Sequence, residues 1–214
     1  MLIFDLFSGT NSSTQPFIDA GHKVISFDID GNFYATEHVN ILNLTASGLL
    51  DKYGRPDFVW ASPPCTVFSV ASMSRHWVSG KIPTPKTEEA KDSEFMIEFT
   101  LNLIKDLNPK LGWLMENPRG MLRKLKVVSG YPRRTLTYCQ YGDSRMKPTD
   151  LWGYVPGWTP KEPCKNGMSC HEAAPRGSNA GTKALSNSKE RSRVPYGLGQ
   201  EILKALEAID DGKA

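Results

Sequence analysis

Short apolar runs alternate with helix-like stretches over the first half of the sequence, and this rhythm constrains the fold more than any other feature. Such alternation is typical of a parallel β-sheet whose strands are connected by helices. The predicted strands are Leu2–Leu6, Val24–Asp28, Asp57–Ala61, Leu111–Glu116 and Thr135–Tyr141. The predicted helices are Pro16–Ala20, Ser93–Leu107 and Val194–Ile209. The pattern therefore predicts an α/β fold.

The composition fits a single compact domain of 214 residues, with 39% hydrophobic and 23% charged residues, and excludes a disordered chain. No apolar run approaches the roughly 20 residues of a membrane-spanning helix. Because the apolar run at the start is interrupted by Asp5, we expect no signal peptide and a cytoplasmic protein whose four cysteines are reduced. A net charge of +3 permits a polyanionic partner without requiring one.

Polar or reactive side chains follow four of the predicted strands, at the edge where open parallel sheets bind ligands. They are Asp5–Ser13, Asp28 with Asp30, Pro63-Pro64-Cys65 and Glu116-Asn117-Pro118. Each cluster alone also fits an ordinary turn, a solvated strand end or a buried thiol. Their order along the chain is more specific than any one of them.

In that order, the segments DLFSG, FDID, ASPPCTVFS and MENP resemble the motifs of the C5-cytosine DNA methyltransferases, and the spellings resemble compact bacteriophage members. TLTYCQYG and RSRVPYGLGQEI extend the resemblance to the last helix. It implies a Rossmann-like S-adenosylmethionine-dependent fold, in which helices flank a mostly parallel sheet, with a small loop-rich, zinc-stapled insertion. The implied organisation is a catalytic domain (1–152), a recognition and zinc insertion (153–190) and a C-terminal helix completing the catalytic domain (191–214).

The chemistry of cytosine explains why such an enzyme needs a thiolate and a carboxylic acid. C5 is a poor nucleophile until a thiolate adds to C6, and an acid near N3 stabilises the charge that develops on the ring. Cys65 and Glu116 are the residues that fit these roles. The other expected catalytic residues are Pro64, Asn117, Arg145 and Lys147, the lysine replacing one arginine of a pair usual in the family. The target base must be flipped out of the duplex.

The resemblance also implies an S-adenosylmethionine site, in which Asp28 binds the ribose hydroxyls and Ile29 packs on the adenine. The expected binding residues are Asp5, Phe7, Ser8, Gly9, Thr10, Asn11, Asp28, Ile29, Asn40, Ile41 and Pro63. Two positions depart from the family. Asn11 stands where a second glycine is usual and must tolerate a backbone shape that glycine prefers, and Ser192 stands where asparagine is usual.

The remaining cysteines predict a structural zinc site. Cys139, Cys164, Cys170 and His171 offer three sulfurs and one imidazole, a complete tetrahedral set. The loop-rich segment that carries most of them is poor in apolar residues and needs a cross-link to stay folded. The alternative is unligated thiols with a solvated His171.

Basic residues in the short insertion and in the loop 69–91 predict a surface that contacts DNA phosphates. The expected contacts are Ser69, Arg75, Arg176, Lys183 and Arg191. Arg75, His76 or Trp77 is expected to fill the space that the flipped base leaves. We expect a monomer that acts on double-stranded DNA at short sequence contexts, without a membrane.

Two other functions stay open. One is the same mechanism applied to RNA or to a free cytosine nucleotide, which the short insertion permits. The other is a zinc-containing DNA-binding protein without turnover, against which the intact pair of Cys65 and Glu116 argues. A virus-encoded enzyme that shields a genome from restriction in the host cytoplasm fits the main hypothesis.

Overall fold

A seven-stranded sheet forms the centre of the computed structural model, which describes residues 1–173, 185, 187–210 and 212. Its strands are β1 (Leu2–Leu6), β2 (Lys23–Asp28), β3 (Glu37–His38), β4 (Phe58–Ala61), β7 (Gly112–Pro118), β8 (Arg133–Thr137) and β9 (Pro148–Tyr154). Their order is β3-β2-β1-β4-β7-β9-β8, and β5 (Trp77–Val78) pairs separately with β6 (Thr84–Pro85). The five strands from β3 to β7 run parallel, whereas β9 is antiparallel to both of its neighbours.

Helices cover both faces of this sheet. They are α1 (Gln15–Asp19), α2 (Ala46–Tyr53), α3 (Met73–His76), α4 (Glu88–Leu107), α5 (Ser188–Ser192) and α6 (Tyr196–Asp210). α1 packs against α6, and α2 packs against α4. Within the described residues, no helix is both long and apolar enough to span a lipid bilayer.

Side chains of the central strands alternate between two buried cores, one on each face. In β1, Phe4 and Leu6 join the core beneath α4, whereas Ile3 joins the core beneath α6. In β4, Val59 joins the core beneath α4 and Trp60 joins the core beneath α6. A sheet buried on both faces needs strands that are apolar throughout, and this explains the short continuous apolar runs of the sequence. The predicted α/β fold with a mostly parallel sheet is confirmed.

The structure differs from the sequence prediction at several elements. β3, β9 and α2 were not predicted, and α4 begins at Glu88 rather than Ser93 because the Thr87 hydroxyl accepts a hydrogen bond from the Ala90 amide. The predicted strand Thr135–Tyr141 is wrong in its second half, since β8 ends at Thr137 and a 3₁₀ turn follows. β9 continues to Tyr154, across the predicted domain boundary at residue 152.

The carboxyl ends of β1, β4 and β7 lie side by side at one edge of the sheet. β1 lies between β2 and β4, so the connections that leave its two neighbours diverge and open a crevice. The amide of Ser62 donates to the carbonyl of Leu6 over 3.0 Å, which holds the loops after β1 and β4 together. The motifs that carry the family resemblance therefore meet at this edge.

Candidate active site

Cys65 lies on a tight turn directly after β4. Its carbonyl accepts hydrogen bonds from the amides of Phe68 and Ser69, both at 3.0 Å, and its side chain is half-buried. Burial raises the pKa of the Cys65 thiol, and the neighbouring charge of Glu116 raises it further. The positive charges of Lys147 and Arg191 act in the opposite direction. The residue is therefore predominantly a thiol at neutral pH.

Glu116 lies near the end of β7, the strand next to β4, and is 5% exposed. The Tyr138 hydroxyl donates to its Oε1 over 2.8 Å. Next along the chain, Asn117 donates from Nδ2 to the carbonyl of Pro63 over 3.0 Å. Because Pro63 precedes Cys65 by two residues, this bond links the acid-bearing strand to the cysteine turn.

A close backbone approach strengthens this link. The amide of Met121 donates to the carbonyl of Phe68 over 2.7 Å, and a Cβ added at Gly120 would lie 2.2 Å from that carbonyl oxygen. Any side chain at position 120 would therefore push the cysteine turn away from β7. Cys65 and Glu116 are therefore joined by one set of contacts between the cysteine turn and β7.

Lys147 completes the surroundings of the pair. Its Nζ lies 4.5 Å from the centre of the Tyr138 ring and donates to the carbonyl of Arg191 over 3.1 Å. Burial lowers the pKa of Lys147, whereas Glu116 and Cys65 raise it. The lysine therefore provides a positive charge near both the thiol and the acid.

Arg145 occupies a different place from the one expected of a catalytic residue. It is 4% exposed, and its guanidinium group pairs with Asp143. Its Nη1 donates to the carbonyls of Glu190 and Arg191 over 3.3 and 3.2 Å. These contacts hold the segment before α6 in place. Among the described residues, the contacts of Arg145 are with Asp143 and this segment, and none is with Cys65.

The loop after β1 meets the end of β2 through Asp28. Its Oδ2 accepts from the Gly9 amide over 2.7 Å, and its Oδ1 accepts from the Asp30 amide over 2.9 Å. The adjacent Ile29 side chain is 70% exposed. An anchored carboxylate beside an exposed apolar side chain fits a group with adjacent hydroxyls and a flat ring.

Three buried polar atoms in this region have no hydrogen-bond partner among the described residues: Asp5 Oδ1, Ser8 Oγ and Asn11 Oδ1. Buried polar atoms are rarely left unpaired, so this concentration suits a polar ligand. The backbone φ angles are 61° at Phe7, 49° at Gly9 and 55° at Asn11, so Asn11 adopts the left-handed shape that a glycine would prefer. The residues present fit a bound cofactor.

Other predicted cofactor residues have mixed surroundings. Pro63 is buried beside Asn117, and Thr10 lines an open cleft of about 740 Å³ between the loop after β1 and the start of α6. Asn40 uses its Oδ1 to cap the following 3₁₀ turn, and Ile41 is buried in the core. The side-chain oxygen of Asn40 therefore already accepts one hydrogen bond, and an adenine amine could donate only to its second lone pair.

The four predicted metal ligands converge. The ligand atoms of Cys139, Cys164, Cys170 and His171 all lie within 4.8 Å of one another. Cys139 Sγ is 3.1 Å from Cys164 Sγ and 3.7 Å from Cys170 Sγ, and His171 Nδ1 is 3.6 Å from both Cys164 and Cys170. Zn–S bonds of about 2.3 Å in a tetrahedron place sulfurs about 3.8 Å apart. The cluster could hold a zinc ion.

The predicted DNA contacts are partly described. Arg75 and Arg191 are exposed and Ser69 is half-buried, whereas Arg176 and Lys183 lie outside the described residues. His76 is buried against the Thr87 hydroxyl, and Trp77 is buried with its indole N–H donating to a backbone carbonyl. Of the three side chains expected to fill the space of a flipped base, only Arg75 is exposed.

Comparison with known proteins identifies a relative of nearly the same length. The chain is 29% identical over 218 residues to the "Probable DNA (cytosine-5)-methyltransferase" of Frog virus 3 (isolate Goorha), covering 95% of this chain and 99% of that protein. The resemblance to the C5-cytosine DNA methyltransferase family is confirmed. No family model matches the sequence.

Two solved structures share the methyltransferase fold. The Dnmt2 methyltransferase of S. pombe has a TM-score of 0.50 at 14% identity, covering 76% of this chain and 51% of that one. The methyltransferase EhMeth of Entamoeba histolytica has a TM-score of 0.51 at 15% identity, covering 81% and 57%. At such low identity the likeness shows the fold alone. This chain spans little more than half the length of either structure.

Sequence reasoning missed Tyr138, which contacts both Glu116 and Lys147 in the structure. The residue falls within a segment predicted as a regular strand, where alternation alone gave no reason to single it out.

Proposed function

We propose that the protein is a DNA (cytosine-5) methyltransferase that transfers a methyl group from S-adenosylmethionine to C5 of a flipped-out cytosine. The observation that carries this proposal is the shared framework of Cys65 and Glu116, on neighbouring strand ends joined through Asn117 and Pro63. The name of the Frog virus 3 relative supports DNA as the substrate. Protection of a genome from restriction, a bacteriophage origin and a host-cytoplasmic location stay predictions.

In the first half of the reaction, Cys65 loses its proton to solvent, and the thiolate forms a bond to C6 of the cytosine ring. The pair of electrons displaced from the C5–C6 double bond moves into the ring, where a proton shared between Glu116 and N3 stabilises it. Lys147 favours the thiolate electrostatically. After C5 has gained its methyl group it loses its proton to solvent, the C5–C6 double bond re-forms, and Cys65 leaves C6 as the thiolate, which regenerates the enzyme.

S-adenosylmethionine supplies the electrophilic methyl group when it is bound. On the protein side, Asp28 would accept the ribose hydroxyls, and the exposed Ile29 would cover one face of the adenine. The unpaired buried atoms of Asp5, Ser8 and Asn11 would receive the polar part of the ligand. These residues orient the cofactor at the edge of the sheet that also carries Cys65.

The proposed activity is tested by incubating the protein with tritiated cofactor and, in parallel, duplex DNA, RNA or dCMP. We expect label in duplex DNA, and bisulfite sequencing then gives the sequence context. Label found only in RNA or dCMP would show that one of these is the substrate and would leave the proposed mechanism unchanged. With the cofactor present, a 5-fluorocytosine duplex should trap a covalent adduct with the wild-type protein and none with Cys65→Ala, because a methylated C5 that carries fluorine in place of hydrogen cannot release the thiolate. An adduct that survives in Cys65→Ala, or no adduct with any substrate, would refute the mechanism.

We also propose that Cys139, Cys164, Cys170 and His171 bind a structural zinc ion. All four ligand positions are filled by protein atoms, so the ion would have no open position for catalysis. The amide of Cys164 donates to the Thr137 hydroxyl over 2.9 Å, which anchors the cysteine-bearing loop to the end of β8. The ion would hold this loop on the sheet.

Metal analysis of the purified protein tests the zinc proposal. We expect one zinc per chain in the wild type and a loss of zinc in Cys164→Ser, together with a lower melting temperature. Cys65→Ala is the matched control, because it also removes a sulfur but should retain the metal. Equal zinc contents in Cys164→Ser and the wild type would contradict the proposal.

A further inference from the structure

Three consecutive residues, the last of β8 and the first two of the turn that follows, make three different contacts. The Thr137 hydroxyl accepts from the Cys164 amide, the Tyr138 hydroxyl donates to Glu116, and Cys139 provides a sulfur of the Cys₃His cluster. The strand ends at Thr137, and the next residues form a 3₁₀ turn. Tyr138 therefore lies between two residues that both contact the cysteine-bearing loop, and its own amide donates to the carbonyl of Met146 over 2.9 Å.

On this basis, we infer that Tyr138 is a positioning residue that connects the Cys₃His cluster to Glu116. When metal occupies the cluster, the turn that carries Tyr138 is held against β7. When the metal is lost, the hydroxyl no longer holds the Glu116 side chain. Metal occupancy thereby sets the rate of adduct formation at Cys65. The inference rests on the proposed methyltransferase function.

The geometry of the carboxyl group explains why one hydroxyl has this effect. Tyr138 donates to Oε1, and among the described residues nothing donates to Oε2. The acid must share its proton with N3 of the base, so it needs one oxygen that is fixed as an acceptor and one that stays free. With Oε1 occupied, the shared proton resides on Oε2.

The Tyr138 ring is also held in place from the other side. It is fully buried, and the Lys147 ammonium lies 4.5 Å from its centre, within the range of a cation–π interaction. The lysine in turn donates to the carbonyl of Arg191. The tyrosine thus contacts both the acid and a partly buried cation, and displacements of the turn change both contacts.

The first test compares Tyr138→Phe with Tyr141→Phe in the zinc-loaded protein. Tyr141 lies on the same turn and its hydroxyl accepts from the Lys161 amide over 2.8 Å, so its loss also removes one hydrogen bond of a buried ring. We expect Tyr138→Phe to slow adduct formation with a 5-fluorocytosine duplex roughly 10- to 100-fold, the range for one lost hydrogen bond to an ionisable group. Tyr141→Phe should stay within about twofold of the wild type.

Two further readouts separate positioning from a general structural effect. In Tyr138→Phe, the zinc content and the Kd for the duplex should match the wild type, because the change removes one buried hydroxyl and keeps the ring. When zinc is stripped and titrated back, the adduct rate should rise with the zinc-bound fraction in the wild type and in Tyr141→Phe. In Tyr138→Phe it should stay low at every zinc level, since the connection is already broken.

The inference is overturned if zinc-loaded Tyr138→Phe forms the adduct as fast as the wild type, or if zinc-free wild type keeps its full rate. A fall in rate that is matched by an equal loss of zinc or of DNA affinity would likewise assign Tyr138 a purely structural role. Failure of the proposed function is a different result, because the wild-type protein would then form no adduct at all.

Discussion

Replacement of Asp5 by asparagine is expected to change how the stability of the protein depends on pH. Asp5 lies in the middle of β1 and is completely buried. Burial raises the pKa of its carboxyl to about 7, and the charge of Asp28 adds to this effect. Hydrogen bonds from Thr14 and Ser13 to Oδ2, at 2.5 and 3.3 Å, oppose it.

The size and sign of the effect follow from the difference in proton binding. Between about pH 4 and pH 7 the unfolded chain has lost the Asp5 proton while the folded chain still holds it, so stability falls as the pH rises. The stability that the protonated Asp5 contributes to the folded chain is fully present below about pH 4 and is lost above about pH 7. A shift from 3.8 to about 7 at about 1.4 kcal/mol per pH unit gives a total of about 4 kcal/mol.

Urea unfolding at a series of pH values, followed by tryptophan fluorescence without cofactor, measures this quantity. The free energy of unfolding of the wild type minus that of Asp5→Asn should fall by about 4 kcal/mol between pH 4 and pH 8. Thr14→Val removes a hydrogen bond that lowers the pKa of Asp5. In this variant the free energy of unfolding should therefore continue to fall above pH 7. If the wild-type and Asp5→Asn curves run parallel from pH 4 to pH 8, the reasoning about Asp5 is refuted.

Three further measurements have defined outcomes, one on the wild type and two on variants. Because the pKa of Cys65 is raised, its alkylation by iodoacetamide should accelerate steadily from pH 7 to beyond pH 9, and a flat profile would contradict the assignment. Lys147→Met should slow this alkylation at pH 8, since the lysine lowers the pKa of the thiol; an unchanged rate would remove Lys147 from the site. Arg123→Met leaves the fully buried Asp150 without its ion-pair partner and should cost roughly 3 kcal/mol of unfolding free energy by urea titration, whereas a loss below about 1 kcal/mol would show that the pair adds little.

The strand ends could be located from the sequence because buried parallel strands are apolar and their ligand-binding ends are not. This contrast places Cys65 after β4 and Glu116 within β7 without any structural information. The Cys₃His cluster could be predicted equally well, since few residue types bind zinc and three of the four cysteines remained after Cys65 was assigned. In both cases the residue type itself carries the chemical information.

The sequence was less informative where a side chain acts through its surroundings. Arg145 and Lys147 lie two residues apart, yet Arg145 pairs with Asp143 and two backbone carbonyls, whereas the charge of Lys147 acts on both Glu116 and Cys65. Which of two nearby cations faces the site depends on the long-range packing of the segment before α6. The antiparallel strand β9 was missed for a related reason, since it carries a buried Asp150 whose partners, Arg123 and Thr135, lie far away in the sequence.

The loop after β1 concentrates features that lower the stability of the folded chain. Asp5 is buried with a pKa near 7, and Ser8 and Asn11 carry buried atoms without described partners. Phe7 and Asn11 adopt left-handed backbone conformations, which cost about 1 to 2 kcal/mol for a residue other than glycine. At position 11 a glycine would relieve the backbone strain, although it would also remove the hydrogen bond from Asn11 Nδ2 to the Tyr34 carbonyl. The accumulation of these features within a few residues at the sheet edge is therefore best explained by a ligand whose binding repays the cost.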